Sequence, residues 1–503
     1  MKTSCALLLL AAAGFAQAPQ AATPRGSTAI QLPLSGRGGQ SGSVNTAQSP
    51  VPGTTTSVNT INPTIQVQGP YAGSAPAQFS GKLSLREAID RALRYNLGAV
   101  GLNNAVRQAE GQVKVARSSL LPNLNGSLSE TVQQTNLTAF GFRIKSPFPG
   151  FSIPSVVGPF NYFDLRASLT QSVADLTAWR NYKSASEVLR ANQLSARDAR
   201  DLVVLAAGGA YLQVIAAKAR IQSVRAQLDT ANALYQQTSQ RRTVGLVTQI
   251  DVNRSQVQVQ TQQQRLLSLE NDLAKQKINL ARIAGLPPND QYDIADDVPF
   301  SPVPAATVED AIHQALAQRA DLKAAEAQVH AAELARSAAR AERLPSLGLS
   351  ADYGAIGTNP SQAHGTFAVT GSLRVPIWQG GRTSGDIDQA DAALAQRKAE
   401  LEDLKSRIES EVRNAFLDLQ AAAGQVELSR QNQQVTQETL KLTRQRFDEG
   451  VSDNVEVVQS QESVAGSQLD YINSVFAHNL AKLSLARAIG RTAESLPQFL
   501  ALP

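Results

Sequence analysis

The sequence predicts a mainly α protein with a β-barrel contribution, in which two structural repeats each join a β-hairpin to long coiled-coil helices. Three observations predict it. Segments recur at a constant offset, the polar–apolar period changes from helical to two and back at matching places in each copy, and proline is absent from very long helical stretches.

The clearest recurrence is GLVTQIDV, Gly245 to Val252, against GVSDNVEV, Gly450 to Val457. Each is followed by a Ser-Gln pair (Ser255-Gln256, then Ser460-Gln461) and by a run ending LARIAG at Leu280 to Gly285, or LARAIG at Leu485 to Gly490. The offset is 205 throughout. Both copies of the first motif read as the turn of a helical hairpin.

A chain of 503 residues can bury a sizeable core, and aromatics at only 5% favour long helices packed through small residues over a compact enzyme. The net charge of +5 carries little information, and no basic block is dense enough for nucleic acid. At the N-terminus, Lys2, the apolar run Ala6 to Ala13 and the small-x-small site Ala16-Gln17-Ala18 form an export signal, with cleavage after Ala18 or after Ala16. Cys5 precedes the apolar run, so it is misplaced for a lipid anchor, and its removal leaves no cysteine for a disulfide. No later segment is expected to reach membrane-helix composition, so entry into a membrane has to use strands.

Residues 19 to 80 are rich in Ser, Thr, Gly, Pro, Gln and Asn with almost no charge, and read as a disordered linker or an extended arm. Order begins at Ser84, where Ser84 and Glu87 have capping-box spacing and Ala88, Ile89, Ala92 and Leu93 mark one helical face up to Leu121-Pro122. The design returns at an offset of 223: Thr307 and Asp310, then Ala311, Ile312, Ala315 and Leu316, then LPSL at Leu344 to Leu347 against LPNL at Leu121 to Leu124. After each LPxL the period becomes two. Leu347, Leu349, Ala351 and Tyr353 alternate with polar or small residues, as do Phe367, Val369, Gly371 and Leu373, and in the first copy Phe163, Leu165, Ala167 and Leu169. The offset then falls to 205, so the first hairpin carries an insertion within TAFGFRIKSPFPGFSIPSVVGPFNYF, read as a surface loop.

Two rods follow, from about Lys183 to Arg242 and from about Ser384 to Asp448, each on the order of 100 Å at 1.5 Å per residue. Ile387, Ala390, Leu394, Leu401, Leu404 and Ile408 mark a coiled-coil seam, and Gly208-Gly209 marks a bend or a tight contact. The map is then a signal segment 1–18, a linker 19–80, repeat 1 over 81–285 with strands near 123–134 and 162–173 and a tip at 243–252, a connector 286–306, repeat 2 over 307–490 with strands near 346–354 and 365–375 and a tip at 448–457, and a tail 491–503. Four strands cannot close a barrel in lipid, where no edge can stay unpaired. Membrane barrels begin at eight strands, so at least two chains have to join, and three supply twelve.

From Leu83 to Gly490 the sequence resembles the TolC family of bacterial outer membrane efflux proteins, through the paired LPxL ends, PIWQGGR at Pro376 to Arg382, the two tips and the LARxxG-like ends. The resemblance implies a homotrimer in outer-membrane lipid. Its twelve strands would form one barrel continued by a periplasmic α-helical tunnel, working with an inner-membrane transporter and a periplasmic adaptor (membrane fusion) protein. By position it implies a periplasmic constriction at Asp251, Glu456 and Asp453. Ser452, Gln459 and Phe447 stand where the best-known member has arginine, aspartate and tyrosine, so a lock built on those side chains is not carried over.

Asp251 and Glu456 read either as a cation-favouring acidic ring or as acids at a helix start. Arg242 or Arg254 is expected to pair with Asp448, Glu449 or Asp453. Gly245, Leu246, Val247, Gly450 and Val451 read either as an adaptor-docking surface or as turn geometry. Trp179 and Trp378 fall at strand-to-helix junctions and suit an interfacial belt or core packing. His313, His330, His364 and His478 lack ligand spacing, and no P-loop, dinucleotide fingerprint or GxSxG element occurs, so neither metal, cofactor nor enzyme activity is expected. A non-channel coiled-coil scaffold or periplasmic adaptor is the alternative, and the two apolar-faced hairpins argue against it.

Overall fold

The computed structural model describes residues 79, 81–139, 141, 154–287, 291–302 and 307–490. The signal segment, the linker apart from Phe79, the C-terminal tail and most of the first-hairpin loop lie outside the described residues.

Repeat 1 runs β1 (Gly81–Leu83), α1 (Leu85–Tyr95), α2 (Leu97–Ser118), β2 (Asn123–Asn136), β3 (Val156–Ala174), α3 (Leu176–Thr243) and α4 (Gln249–Ala284). After β4 (Tyr292–Ile294), repeat 2 runs α5 (Val308–Gln318), α6 (Ala320–Ala341), β5 (Ser346–Gly357), β6 (His364–Arg374), α7 (Arg382–Asp448) and α8 (Asn454–Ile489). The order is the same in both halves. Ser84 accepts from Glu87 N–H at 3.2 Å and Thr307 accepts from Asp310 N–H at 3.2 Å, so equivalent caps start equivalent helices.

Several boundaries differ from the sequence expectation, each for a physical reason. β3 begins at Val156 rather than near 162, so the end of the Gly/Pro/Phe-rich insertion is strand, paired to β2 as Val156↔Asn136. The first helix of each repeat is broken, at Asn96 and at Arg319, because those residues take extended backbone with ψ 131 and ψ 129. The parallel pair β1–β4 joins the first residues of repeat 1 to the connector, where no strand is expected from the sequence; three residues are too short to show a period. Helix α3 also holds an 18-residue window of mean hydropathy 1.7, correcting the expectation that no later segment reaches membrane-helix composition. That window is 72% buried within the protein, as a core helix is.

The strands form one antiparallel sheet in the order β2-β3-β5-β6, with the two hairpins meeting at β3–β5. Alternation puts Leu128, Leu165, Tyr353 and Phe367 on one face in adjacent registers, all exposed, Phe367 at 78%. β2 and β6 each have one unpaired edge.

Helix α3 packs on α6 near its start, where Ser184 donates to Ala331 O at 2.8 Å, and on α8 further along, where Arg220 donates to Asn473 Oδ1 at 2.6 Å. Gly208 is a tight contact: a Cβ there would lie 3.0 Å from Leu483 Cδ2. One apolar core gathers Leu83, Tyr211, Leu280 and Leu483, a second Ile312, Ile408, Val412 and Leu485, and α8 serves both. The returning helices end at the two breaks. Asn96 Nδ2 donates to Ile283 O at 3.3 Å, and Arg319 Nη1 donates to Ala488 O at 3.4 Å.

Candidate functional site at the helical tips

The seam leading to the second tip carries hydroxyls at heptad steps. Ser429 meets Ser474 at 2.7 Å, Thr436 meets Ser467 at 2.7 Å and Thr443 meets Ser460 at 3.2 Å. Steps of seven on α7 and α8 keep these small side chains facing each other along an antiparallel coiled coil, and each bond contributes roughly 0.5–1.5 kcal/mol. The ladder ends in a small apolar cluster of Leu234, Phe447 and Val457.

Below that cluster the two hairpins are joined by side chains. The Arg241 guanidinium lies 4.6 Å from the centroid of the Phe447 ring, donates to Phe447 O at 3.1 Å and pairs with Asp448 at 2.8 Å. Gln237 donates to the same Asp448 oxygen at 2.8 Å. On the returning side Asn454 Nδ2 donates to Asp251 O at 2.9 Å, and Glu462 accepts from Gln258 at 3.0 Å and Arg265 at 3.3 Å. Phe447, which has no hydroxyl, thus acts through its ring face and its carbonyl.

The expected constriction residues are each engaged inside their own hairpin. Asp251 completes a capping box, its Oδ2 accepting from Thr248 Oγ1 at 2.6 Å and Thr248 N–H at 3.1 Å, with Arg254 at 3.7 Å. Glu456 accepts from Arg446 at 2.8 Å and from the Ser452 hydroxyl, while Asp453 is the N-cap of α8. The pairing expected of Arg242 is made instead by Arg241, and Arg254 turns to Asp251. One helical step rotates a side chain by about 100°, enough to move it off the inter-hairpin face. The repeat relates Arg241 to Arg446 at the offset of 205, and both pair with an acid at the tips, but the offset does not indicate which acid.

Gly245 (φ 77) and Gly450 (φ 74) take the left-handed conformation that ends α3 and α7, with Leu246 N–H on Arg241 O and Val451 N–H on Arg446 O, both at 2.9 Å. Turn geometry accounts for the glycines. It does not account for Leu246 at 74% and Val451 at 67% exposure, apolar and at the extremity; Val247 is half-buried.

Far from the tips, at the Arg319 break, lies a buried ionic cluster that sequence reasoning missed. Arg319 pairs with Asp321 at 2.7 Å and Glu411 at 2.6 Å, and Arg487 pairs with Asp198 at 2.5 Å. Burial pushes the Asp198 carboxyl above the usual carboxylate range against the opposing pull of Arg487. His478 and Lys482, buried on α8, are both shifted down by burial, His478 to about 4 and Lys482 to about 8. No group of three or more metal-ligating side chains occurs among the described residues. Both tryptophans are exposed, Trp378 at 87% and Trp179 at 48%, with the Trp179 ring 5.9 Å from that of Tyr182.

The sequence profile of the outer membrane efflux protein family matches residues 101–286 and 311–491. The pyoverdine export outer membrane protein OpmQ of Pseudomonas aeruginosa is 26% identical over 434 residues, 84% of this chain and 88% of the relative. Outer membrane protein TolC of Vibrio cholerae is 25% identical over 395 residues, 76% of this chain and 87% of the relative. Among solved structures, outer membrane protein VceC from Vibrio cholerae superposes with a TM-score of 0.68 at 20% identity, covering 81% of this chain and 96% of that one. The Campylobacter jejuni CmeC outer membrane channel superposes with a TM-score of 0.69 at 17% identity, covering 82% and 88%.

Proposed function

This chain belongs to the outer membrane efflux protein family, and we propose that three copies form an outer-membrane channel reaching into the periplasm. Each chain contributes its four strands to a twelve-stranded barrel and its long helices to a tunnel. The conduit takes small molecules or proteins from an inner-membrane transporter through a periplasmic adaptor. One observation carries this reading: a four-stranded sheet with an exposed apolar face and two open edges is fused to helices of 68 and 67 residues. An apolar sheet face suits lipid, and open edges suit further strands. A scaffold or adaptor that never enters lipid leaves both features without a use.

Within this reading the tips are the periplasmic mouth. Three copies of Asp251 and Glu456 supply its acidic charge, Asp453 holds the start of α8, and Arg241 on Phe447 and Asp448 fastens the two hairpins where another lock would need tyrosine and arginine. Leu246 and Val451, presented by Gly245 and Gly450 and backed by Val247, dock the adaptor.

Fractionation tests the core of the proposal. The protein is expected in the outer membrane as a trimer that dissociates on heating in detergent, whereas a soluble periplasmic monomer would overturn it.

A further inference from the structure

We infer that Asp164, Arg166 and Asp352 form a charge filter inside the membrane-spanning sheet, acting on ions and charged solutes in passage. The inference rests on the trimeric-channel reading and extends it to the barrel, whose interior it concerns.

In a half-apolar sheet the two faces can be told apart residue by residue. Leu128, Leu165, Tyr353 and Phe367 share the apolar face. Ser127, Arg166, Gly354 and Thr366 share the other, again in adjacent registers. On that polar face the described strand residues carry Asp164, Arg166 and Asp352 in mid-sheet and Arg374 at the end of β6, opposite Ser346. Glu130 lies in register with Phe163 on the apolar side and accepts from Asn161 at 3.3 Å.

The three mid-sheet charges are built into one unit. Arg166 Nη1 lies 2.5 Å from Asp352, its Nη2 lies 3.3 Å from Asp164 Oδ2, and its Nε donates to Asp164 Oδ1 at 3.3 Å. Directly across from Arg166 in the register stands Gly354, where a Cβ would come within 2.6 Å of Leu165 O and 3.2 Å of Arg166 Cβ. The missing side chain lets the guanidinium cross β5 to reach Asp352. All three side chains keep access to water, at 21 to 30%.

Arg166 also ties the first repeat to the second across β3–β5, and a seam pin explains one carboxylate. It does not explain two. Within the mid-sheet triad one cation against two carboxylates leaves a local net charge of −1, repeated around the barrel by symmetry, while Arg374 of the same face stands apart at the end of β6. Screening sets where this acts: the Debye length is about 30 Å at 0.01 M salt and about 3 Å at 1 M, so a ring on a wide wall acts across the lumen only in dilute salt.

Full-length trimers in planar bilayers under a KCl gradient of about 10 against about 100 mM test this. Arg166→Gln is expected to move the reversal potential toward that of K⁺, and Asp164→Asn with Asp352→Asn to move it toward that of Cl⁻. Arg166→Lys keeps the charge and loses the bidentate geometry, so it should hold the wild-type potential while lowering the temperature at which the trimer dissociates. Each shift should persist when Asp251 and Glu456 are replaced by alanine, and should shrink at molar salt. Conducting trimers with one common reversal potential, or with both sets of variants shifting the same way, would overturn the filter alone. A wild-type protein that never conducts would overturn the channel reading, and the filter with it.

Discussion

The two joints where a returning helix meets a broken one occupy equivalent places in the repeats and are built from different chemistry. In repeat 1 the break is Asn96, which caps Gly98 N–H at 3.0 Å and holds the end of α4 with a neutral amide. In repeat 2 the break is Arg319, which holds the end of α8 and is itself held by Asp321 and Glu411. The offsets place Gly98 and Ala206 where the second joint has Asp321 and Glu411. Both joints close on a left-handed glycine with no room for a side chain, Gly285 against Tyr95 and Gly490 against Arg319. Duplication has therefore conserved the backbone solution and left the side chains free to diverge. One joint is neutral and the other depends on buried charge.

The largest effect should come from breaking the charged joint. Arg319→Ala removes a buried cation and leaves the half-buried Asp321 and Glu411 without it, and should destabilise the protein by about 3 kcal/mol in a denaturant or thermal melt. Rebuilding the joint on the first pattern, with Arg319→Asn, Asp321→Gly and Glu411→Ala together, should recover at least half of that loss. Failure to recover would mean the two joints are not interchangeable.

Next in size is the acid response of the second repeat. His478 is buried, with a tilted ring contact to Phe300 at 4.7 Å, and stands where repeat 1 has Leu273. Its folded-state pKa is pushed down to about 4, whereas in the unfolded chain it titrates near 6.5. The unfolded state therefore binds the extra proton, and stability falls as pH drops from about 6.5 to about 4, by up to roughly 3 kcal/mol. Asp198, whose pKa is raised, acts in the opposite direction, gaining stability as pH falls. The difference between wild type and His478→Leu isolates the histidine: the variant should lose this acid sensitivity between pH 6.5 and 4, and parallel pH profiles would contradict it.

Gly285→Ala should cost about 1–2 kcal/mol for the left-handed backbone alone, with the clash on Tyr95 added. Gly490→Ala should cost less in added strain, because the Cβ gap is 3.0 Å to Arg319 Cγ against 2.4 Å to Tyr95 Cβ. The smallest change in stability is expected at the tips. Arg446→Ala breaks an exposed pair worth about 0–1 kcal/mol and Arg241→Ala a partly exposed one, so melts should move little while Arg241→Ala changes channel opening.

How much of this was legible depended on whether the signal was periodic. The strands, rods and tips repeat every two, 3.6 or 205 residues, so Tyr353 with Phe367, or Gly245 with Gly450, could be placed from sequence. Breaks at Asn96 and Arg319 left no trace, because one extended residue inside an apolar-periodic run does not disturb the spacing around it. The ionic cluster was equally hidden: Asp198, Arg319, Glu411 and Arg487 are far apart in the chain and each looks like an ordinary charge on a long helix. Asp251 and Glu456 were placed at the tips, but not their engagement with Thr248 and Arg446, because which partner a carboxylate chooses depends on rotation about the helix axis. Arg241 shows the same limit: it and Arg242 are adjacent arginines, and only rotation about the helix axis decides which of them meets Asp448.

Single-channel recording from the purified protein in planar lipid bilayers tests the central claim most directly. Three chains closing one barrel over a helical tunnel predict discrete conductance steps from a trimer, larger when Arg241→Ala unfastens the two hairpins at the tips. A monodisperse monomer that inserts without conductance steps would contradict the account.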